Sequence, residues 1–257
     1  MIPPLKPGVL VVLEGIDGAG KSTAARNLAA RLRADGLSVR QSREPTDGPW
    51  GTLIRASATE GRREPAEEAE LFRRDRAQHV QEVIGPALAA GQVVLLDRYY
   101  FSTMAYQGAR GLDPEALRVA HEAIAPRPDL LCVLDLDPDQ GMSRVTHRGA
   151  ADLFEDAAML RASRSIFLNQ RQPFAVHVDA LLPEAPLAEL LRERVWLGPL
   201  LTRLGLDAWA ACCPLDLSGV DLSEARRQPD PILAVRSALA WHQRPGVRFD
   251  GAAGGAA

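Results

Sequence analysis

Two hydrophobic rhythms alternate along the chain. Short apolar runs at 9–13, 37–42, 93–96, 130–136 and 175–178 have the length of buried strands. Between them, 26–35, 65–90, 114–124, 138–146, 155–170 and 186–196 have helical composition, with Gly36, Gly91 and Pro173 as punctuation. Strands and helices in strict alternation predict an α/β fold, a parallel sheet covered by helices on both faces. Past residue 197 the rhythm changes. Stretches 200–212 and 231–242 read as helix, 213–230 as loop, and 251–257 is a Gly/Ala tail expected to be disordered. This predicts a main domain over 1–197, a mainly helical extension over 198–250, and the tail.

In an open parallel sheet the ligand sits at the carboxyl ends of the strands, so the residues just after each strand are the candidates for binding. The first apolar run leads into Glu14-Gly15-Ile16-Asp17-Gly18-Ala19-Gly20-Lys21-Ser22-Thr23, which fits Gly-x-x-x-x-Gly-Lys-Ser and opens a helical stretch at 24–32. A chance glycine turn would lack the strand before and the helix after. Gly15, Gly18 and Gly20 can take positive φ, so that backbone N–H groups form an anion nest at a helix N-terminus. Lys21 is expected at the β- and γ-phosphates and the Ser22 hydroxyl on Mg²⁺. The chain has only two lysines, Lys6 and Lys21, among 30 basic residues. A sequence this biased to arginine still places the compact ammonium in the cradle, where a guanidinium fork would not fit.

The later strand ends carry charge as well: Arg43-Glu44, Asp97-Arg98 and Asp135-Leu136-Asp137. These are expected to converge on one crevice. Asp97 suits a metal-bound water or a neighbouring arginine, Arg98 and Arg43 suit phosphates, and a plain Asp97–Arg98 ion pair is the structural alternative.

Composition narrows the class. At 257 residues, with a quarter of them charged and a net charge of −3, nothing points to a nucleic-acid or membrane surface. Three cysteines make no disulfide framework, and Cys212-Cys213 has no zinc-site spacing, so a reducing cytoplasm is expected. The Pro-rich first eight residues are too short for a signal peptide, and no apolar run reaches membrane-spanning length.

Three further pieces carry a family resemblance: Leu71-Phe72-Arg-Arg-Asp-Arg76-Ala-Gln-His79, Asp97-Arg98-Tyr99, and Ser102-Thr-Met-Ala-Tyr106-Gln107-Gly108. With the glycine loop and Arg43-Glu44-Pro45, in register from residue 8 to about 194, the chain resembles the thymidylate kinases of the nucleoside-monophosphate kinase group. The resemblance implies a three-layer P-loop kinase fold with a five-stranded parallel sheet, Mg²⁺-ATP-dependent phosphorylation of dTMP to dTDP, and a homodimer. It implies that Gly15, Gly18, Ala19, Gly20, Lys21, Ser22, Thr23 and Arg144 bind ATP phosphates. By the same resemblance Phe72 stacks on thymine, Arg76 and Gln107 bond the base, and Tyr106 packs under the deoxyribose. Asp17 takes the 3′-hydroxyl, and Arg43, Arg98 and Ser102 complete the dTMP site. Ser22, Asp97 and Glu155 are the implied metal-side residues, and Lys21, Arg98, Arg148 and Asp17 the catalytic set. The acceptor is already an anion, so catalysis is expected from positioning and charge neutralisation.

The lid segment keeps Arg144, Arg148, Asp152 and Glu155 of the family pattern, but Leu153 stands where an arginine is common. Gly18 also stands where one subgroup carries a basic residue, which assigns the catalytic arginine to the lid at Arg148. The 43–51 loop departs from the commoner glycine-rich version, leaving Glu44 and Trp50 without a firm role. Two alternatives stay open: a related deoxynucleotide kinase with altered base choice, and a nucleotide-binding module with weak or lost transfer.

Overall fold

Four of the five predicted strands are buried over most of their length, and their order explains why they read as unbroken apolar runs. The structure, a computed structural model, describes residues 2–61, 63–146, 157–218, 220–239 and 247–248. Strand β1 (Val9–Glu14) lies at the centre, between β3 (Val93–Asp97) and β4 (Leu130–Asp135), with β2 (Val39–Arg43) and β5 (Ala175–Asp179) outside them. All five are parallel, in the order β2-β3-β1-β4-β5. Every residue of β1 is buried, as the middle strand of a doubly covered sheet requires. At the edge, β2 alternates partly buried and exposed positions. Registers such as Leu13↔Asp97 and Arg43↔Asp97 bring the carboxyl ends of β1, β2 and β3 level with one another.

Helix α1 (Lys21–Ala34) comes directly after the glycine loop, then α2 (Pro49–Glu60), α3 (Pro65–His79) and α4 (Gly85–Ala89) precede β3. The predicted helix 65–90 is interrupted by a wide π turn at Val80–Ile84, just ahead of Pro86, which has no N–H to continue the ladder. Between β3 and β5 come α5 (Tyr100–Gly108), α6 (Pro114–Glu122), α7 (Pro138–Thr146) and α8 (Ala157–Leu168). Helix α9 (Glu184–Val195) runs through a second π turn, Trp196–Leu200, again at a proline, Pro199.

The remaining elements are short: α10 (Leu201–Leu204), α11 (Leu206–Ala210), α12 (Leu222–Arg227) and α13 (Pro231–Ala238). Helices α2 and α5 were not read from the sequence, and two features of the C-terminal part also depart from that reading. Helix α12 lies inside the stretch read as loop, started by Asp221, which caps the N–H groups of Ser223 and Glu224. A two-residue strand β6 (Val247–Arg248) pairs antiparallel with β5 and makes the sheet six-stranded. The 251–257 tail lies outside the described residues. Among the described residues no helix is long and apolar enough to cross a membrane.

These C-terminal helices share the core of the sheet. Trp196 and Trp209 are fully buried, and Trp209 donates its indole N–H to the Trp196 carbonyl at 2.8 Å. Ala225 and Val235 belong to the same apolar cluster as β1 and β4. Trp209→Ala is expected to cost about 3–5 kcal/mol, read by urea unfolding. A loss under about 1 kcal/mol would show that this ring does not hold the extension.

Candidate active site

The glycine loop takes the conformation its composition predicts. Gly15, Gly18 and Gly20 have φ of 139°, 81° and 84°. A side chain at Gly15 would put its Cβ 2.4 Å from the Leu134 carbonyl of β4, and one at Gly18 would meet the Gly141 carbonyl of α7 at 2.5 Å. The second clash explains why this chain has no basic residue there. Gly20 starts α1 with no side-chain cap, so the first amides of the helix stay open toward the loop. Lys21 is buried and donates to the carbonyls of Gly15 and Ile16 at 3.0 and 2.8 Å. Ser22 Oγ donates to Asp97 Oδ2, whereas Asp97 Oδ1 is buried and has no partner among the described residues.

One side of this loop opens into a crevice of ≈ 450 Å³ bounded by α3, α5 and the segment after β2. Asp17 stands in its wall, paired with Arg98 and accepting from the Tyr106 hydroxyl at 3.1 Å, with the Lys21 ammonium at 3.9 Å. Arg98 also donates to Ser102 Oγ at 3.2 Å and lies over the Tyr106 ring. Among the described residues it is the one non-glycine at positive φ, 71°, a conformation that costs on the order of 1 kcal/mol. Asp97 is thus bonded to Ser22, and Arg98 to Asp17 and Ser102. Phe72, Arg76, Ser102, Tyr106 and Gln107 all line the crevice, and Arg43 lies at its exposed edge, bonded to Asp47 at 2.8 Å.

On the other side of the loop is a second cavity, also ≈ 450 Å³, which shares Gly18, Gly20 and Thr23 with the first. Ala19 and Arg144 line it, and Arg144 donates to the Gly18 carbonyl at 3.3 Å. Arg148, Asp152, Leu153 and Glu155 lie outside the described residues. The fourth strand end does not join this arrangement. Asp135 is taken by Arg164 at 2.6 Å, and Asp137 accepts from the Asp139 N–H at 3.0 Å. Each has a local partner, so neither reaches the crevice.

A phosphate cradle between two cavities has room for a ligand on each side. The family model described as thymidylate kinase matches residues 13–184. Among curated relatives, a thymidylate kinase of Akkermansia muciniphila is 47% identical over 188 residues, covering 73% of this chain and 91% of that protein. A thymidylate kinase of Xylella fastidiosa strain M12 is 51% identical over 174 residues, 67% of this chain and 80% of the relative. One from Xanthomonas euvesicatoria is 48% identical over 208 residues, 79% and 90% of the two chains. The chain belongs to the thymidylate kinase family.

Several supports of this thymidylate kinase site carry no motif of their own. Glu14, the last residue of β1, is fully buried and accepts from the N–H groups of Tyr99 and Ser102 at 2.7 and 3.0 Å and from Ser102 Oγ at 2.6 Å. Glu44 holds Arg76 at 2.7 Å and His79 at 3.0 Å, and Arg76 in turn donates to His121 Nδ1 at 2.8 Å. Burial, then the Arg76 charge, pushes His121 down to about 2, so its ring stays neutral and can accept. Glu68 holds Gln107 at 2.8 Å. Glu14 and Glu44 stood in the quoted motifs without an assigned role, and Glu68 carried no signal in sequence.

Burial raises the Glu14 carboxyl from 4.5 to about 7, against its hydrogen bonds and the nearby Arg98 and Lys21 charges. The folded state thus holds the proton longer than the unfolded chain does. The resulting stability is full below about pH 4.5, declines as pH rises to about 7, and is flat above; the span corresponds to roughly 3 kcal/mol. Glu14→Gln imitates the protonated form. Urea unfolding should show the variant gaining on the wild type by roughly that amount between pH 4.5 and 8. A difference that does not move with pH would refute this reading of Glu14.

Proposed function

We propose a division of labour for the phosphorylation of dTMP to dTDP, the nucleotide-biosynthetic reaction of this phosphotransferase. The acceptor dTMP occupies the crevice lined by Phe72 and Gln107, and ATP occupies the cavity lined by Ala19 and Arg144. The observation that carries this reading is the shared wall: Gly18, Gly20 and Thr23 face both cavities, so two phosphate chains bound from opposite sides meet at the loop.

The residue roles rest on chemistry. Phe72 supplies a flat apolar face to the base. Arg76 and Gln107 read its edge. Tyr106 and Asp17 meet the sugar, Asp17 at the 3′-hydroxyl. Arg98, Ser102 and Arg43 hold the acceptor phosphate. Lys21, the loop amides and Arg144 hold the ATP phosphates. The acceptor oxygen is already anionic, so no general base is needed. The chain's work is to align donor and acceptor and to neutralise charge, with Arg148 of the lid segment as the transferring arginine.

Magnesium fits where the loop meets the crevice, at Ser22 and Asp97. Among the described residues Asp97 Oδ1 is buried without a partner, its other oxygen bonded by the Ser22 hydroxyl, and a carboxylate and a hydroxyl are hard oxygen donors. Among the described residues there is no cluster of three or more His, Cys, Asp or Glu suited to a metal, so nucleotide phosphates would supply further ligands. Ser22 and Asp97, with Glu155 from the lid segment, would hold the ion, which when bound offsets phosphate charge. We further propose a homodimer, on the family resemblance, and a reducing cytoplasm, supported by the free thiols of Cys132, Cys212 and Cys213. Residues 1–197 form the kinase unit and 198–250 an appended extension in this reading.

The test is ADP release coupled to oxidation of NADH, with ATP, Mg²⁺ and a panel of monophosphates. Turnover with dTMP is expected, abolished by Lys21→Ala and lowered about 10³-fold in kcat by Arg148→Ala. Preference for dCMP, dUMP or dGMP would overturn the substrate assignment. ATP binding without turnover of any monophosphate would leave a binding module instead.

A further inference from the structure

One wall of the dTMP crevice can be read by counting donors and acceptors. Arg76, 1% exposed, has five N–H groups. Its Nε and Nη2 donate to Glu44 Oε2 at 2.9 and 2.7 Å, Nη2 also faces Thr103 Oγ1 at 3.4 Å, and Nη1 donates to His121 Nδ1 at 2.8 Å. Nη1 also lies 3.4 Å from His121 Nε2, on the same ring, so its second hydrogen is the Arg76 donor left over for a ligand in the crevice that Arg76 lines. Gln107 is 2% exposed, and its Nε2 donates to Glu68 Oε2 at 2.8 Å. Its Oε1 is buried with no partner among the described residues. The wall therefore presents one N–H and one C=O.

An amide side chain has no intrinsic preference between those two faces, because its oxygen and nitrogen ends have nearly the same shape. Rotated by half a turn, Gln107 would offer its NH₂ to the ligand instead. Glu68 prevents the rotation. It is 4% exposed and ion-paired with Arg110, so it is a carboxylate with acceptors alone, and the oxygen end of Gln107 cannot face it. Arg110 is itself tied to the Arg63 carbonyl.

We propose that Glu68 is a specificity-positioning residue: it locks the Gln107 amide with Oε1 toward the ligand, so that the crevice selects a base with N–H beside C=O over one with the inverse pattern. Thymine and uracil both present that order at N3 and O4. Cytosine presents an acceptor at N3 and a donor at N4, which would set acceptor against Gln107 Oε1 and donor against Arg76 Nη1. The proposal rests on dTMP binding in this crevice and adds the device that reads its base. It also makes an internal control available, since Glu68 discriminates dTMP from dCMP and does not discriminate dTMP from dUMP.

The experiment measures kcat/KM for dTMP, dUMP and dCMP, or Ki against dTMP where turnover is too slow, in wild type, Glu68→Gln, and the exchange Glu68→Gln with Gln107→Glu. A glutamine at 68 can donate or accept and frees the amide at 107. The dTMP:dCMP ratio should fall at least about tenfold while dTMP:dUMP stays within about twofold. The exchange puts an acceptor-only carboxylate at 107, bonded by the amide at 68, and should recover much of the dTMP:dCMP ratio. An unchanged dTMP:dCMP ratio in Glu68→Gln overturns the proposal, as does an equal loss for all three nucleotides. If the single variant shows no cooperative melt, the exchange decides alone: retained selectivity supports the lock and lost selectivity overturns it. Wild type that turns over no dTMP would remove the functional reading beneath the proposal, and this is seen before any variant is made.

Discussion

A single carboxylate, Glu14, joins the phosphate loop to the acceptor crevice. It ends the central strand, and its oxygens accept from the backbone of Tyr99 and from both the backbone and hydroxyl of Ser102, at the start of α5. The residue between Asp97 and Tyr99 is Arg98, at positive φ. A backbone in that region persists when surrounding bonds over-determine it. Here the Arg98 N–H donates to the Leu13 carbonyl at 3.0 Å, and Glu14 holds the next residue. Arg98 and the glycine loop are thereby fixed in one frame.

The same logic recurs through the crevice: its cationic and amide side chains are each held by an acid. Asp17 holds Arg98, Glu44 holds Arg76, and Glu68 holds Arg110 and Gln107. Long side chains otherwise lose considerable rotamer entropy when a ligand orders them. Holding them in advance moves that cost into folding. Many arginines of the site are already paired, and the pairs orient donors that water would otherwise leave mobile.

How much of this could be read in sequence depended on whether the cause was local. The central strands were legible because burial on both faces forces continuous apolar runs, as at Val9–Glu14. The glycine loop was legible because its φ values demand glycine at fixed spacing. Helix α5 was not read as helix: Tyr100, Phe101, Ser102 and Thr103 are indifferent helix formers, and their burial against neighbouring elements decides the matter. The residues that line the crevice could be picked out, but not what orients them. Glu14 acts on Ser102 across 88 residues, Glu68 on Gln107 across 39 and Glu44 on Arg76 across 32. No periodicity carries such pairings. Asp135 failed in the opposite sense, since the strand end placed it correctly and Arg164 claimed it for another purpose.

The extension can be placed in the same frame. Asp35 caps the carboxyl end of α1, the helix whose other end is the phosphate loop. Both its oxygens accept from Arg192 of α9, at 2.7 and 2.8 Å, and one also accepts from the Trp196 indole at 2.8 Å. Trp196 in turn supplies the carbonyl that Trp209 bonds, and Arg236 of α13 donates to the Leu197 and Gly198 carbonyls of the same π turn. The Trp196 and Gly198 carbonyls already accept from the Leu201 N–H across the wide turn. Trp209 and Arg236 of the extension add side-chain donors to the same stretch of carbonyls. Its contacts reach the far end of a 14-residue helix, about 21 Å from the loop. Among the described residues the extension bears on that far end through Trp196, whose carbonyl Trp209 bonds.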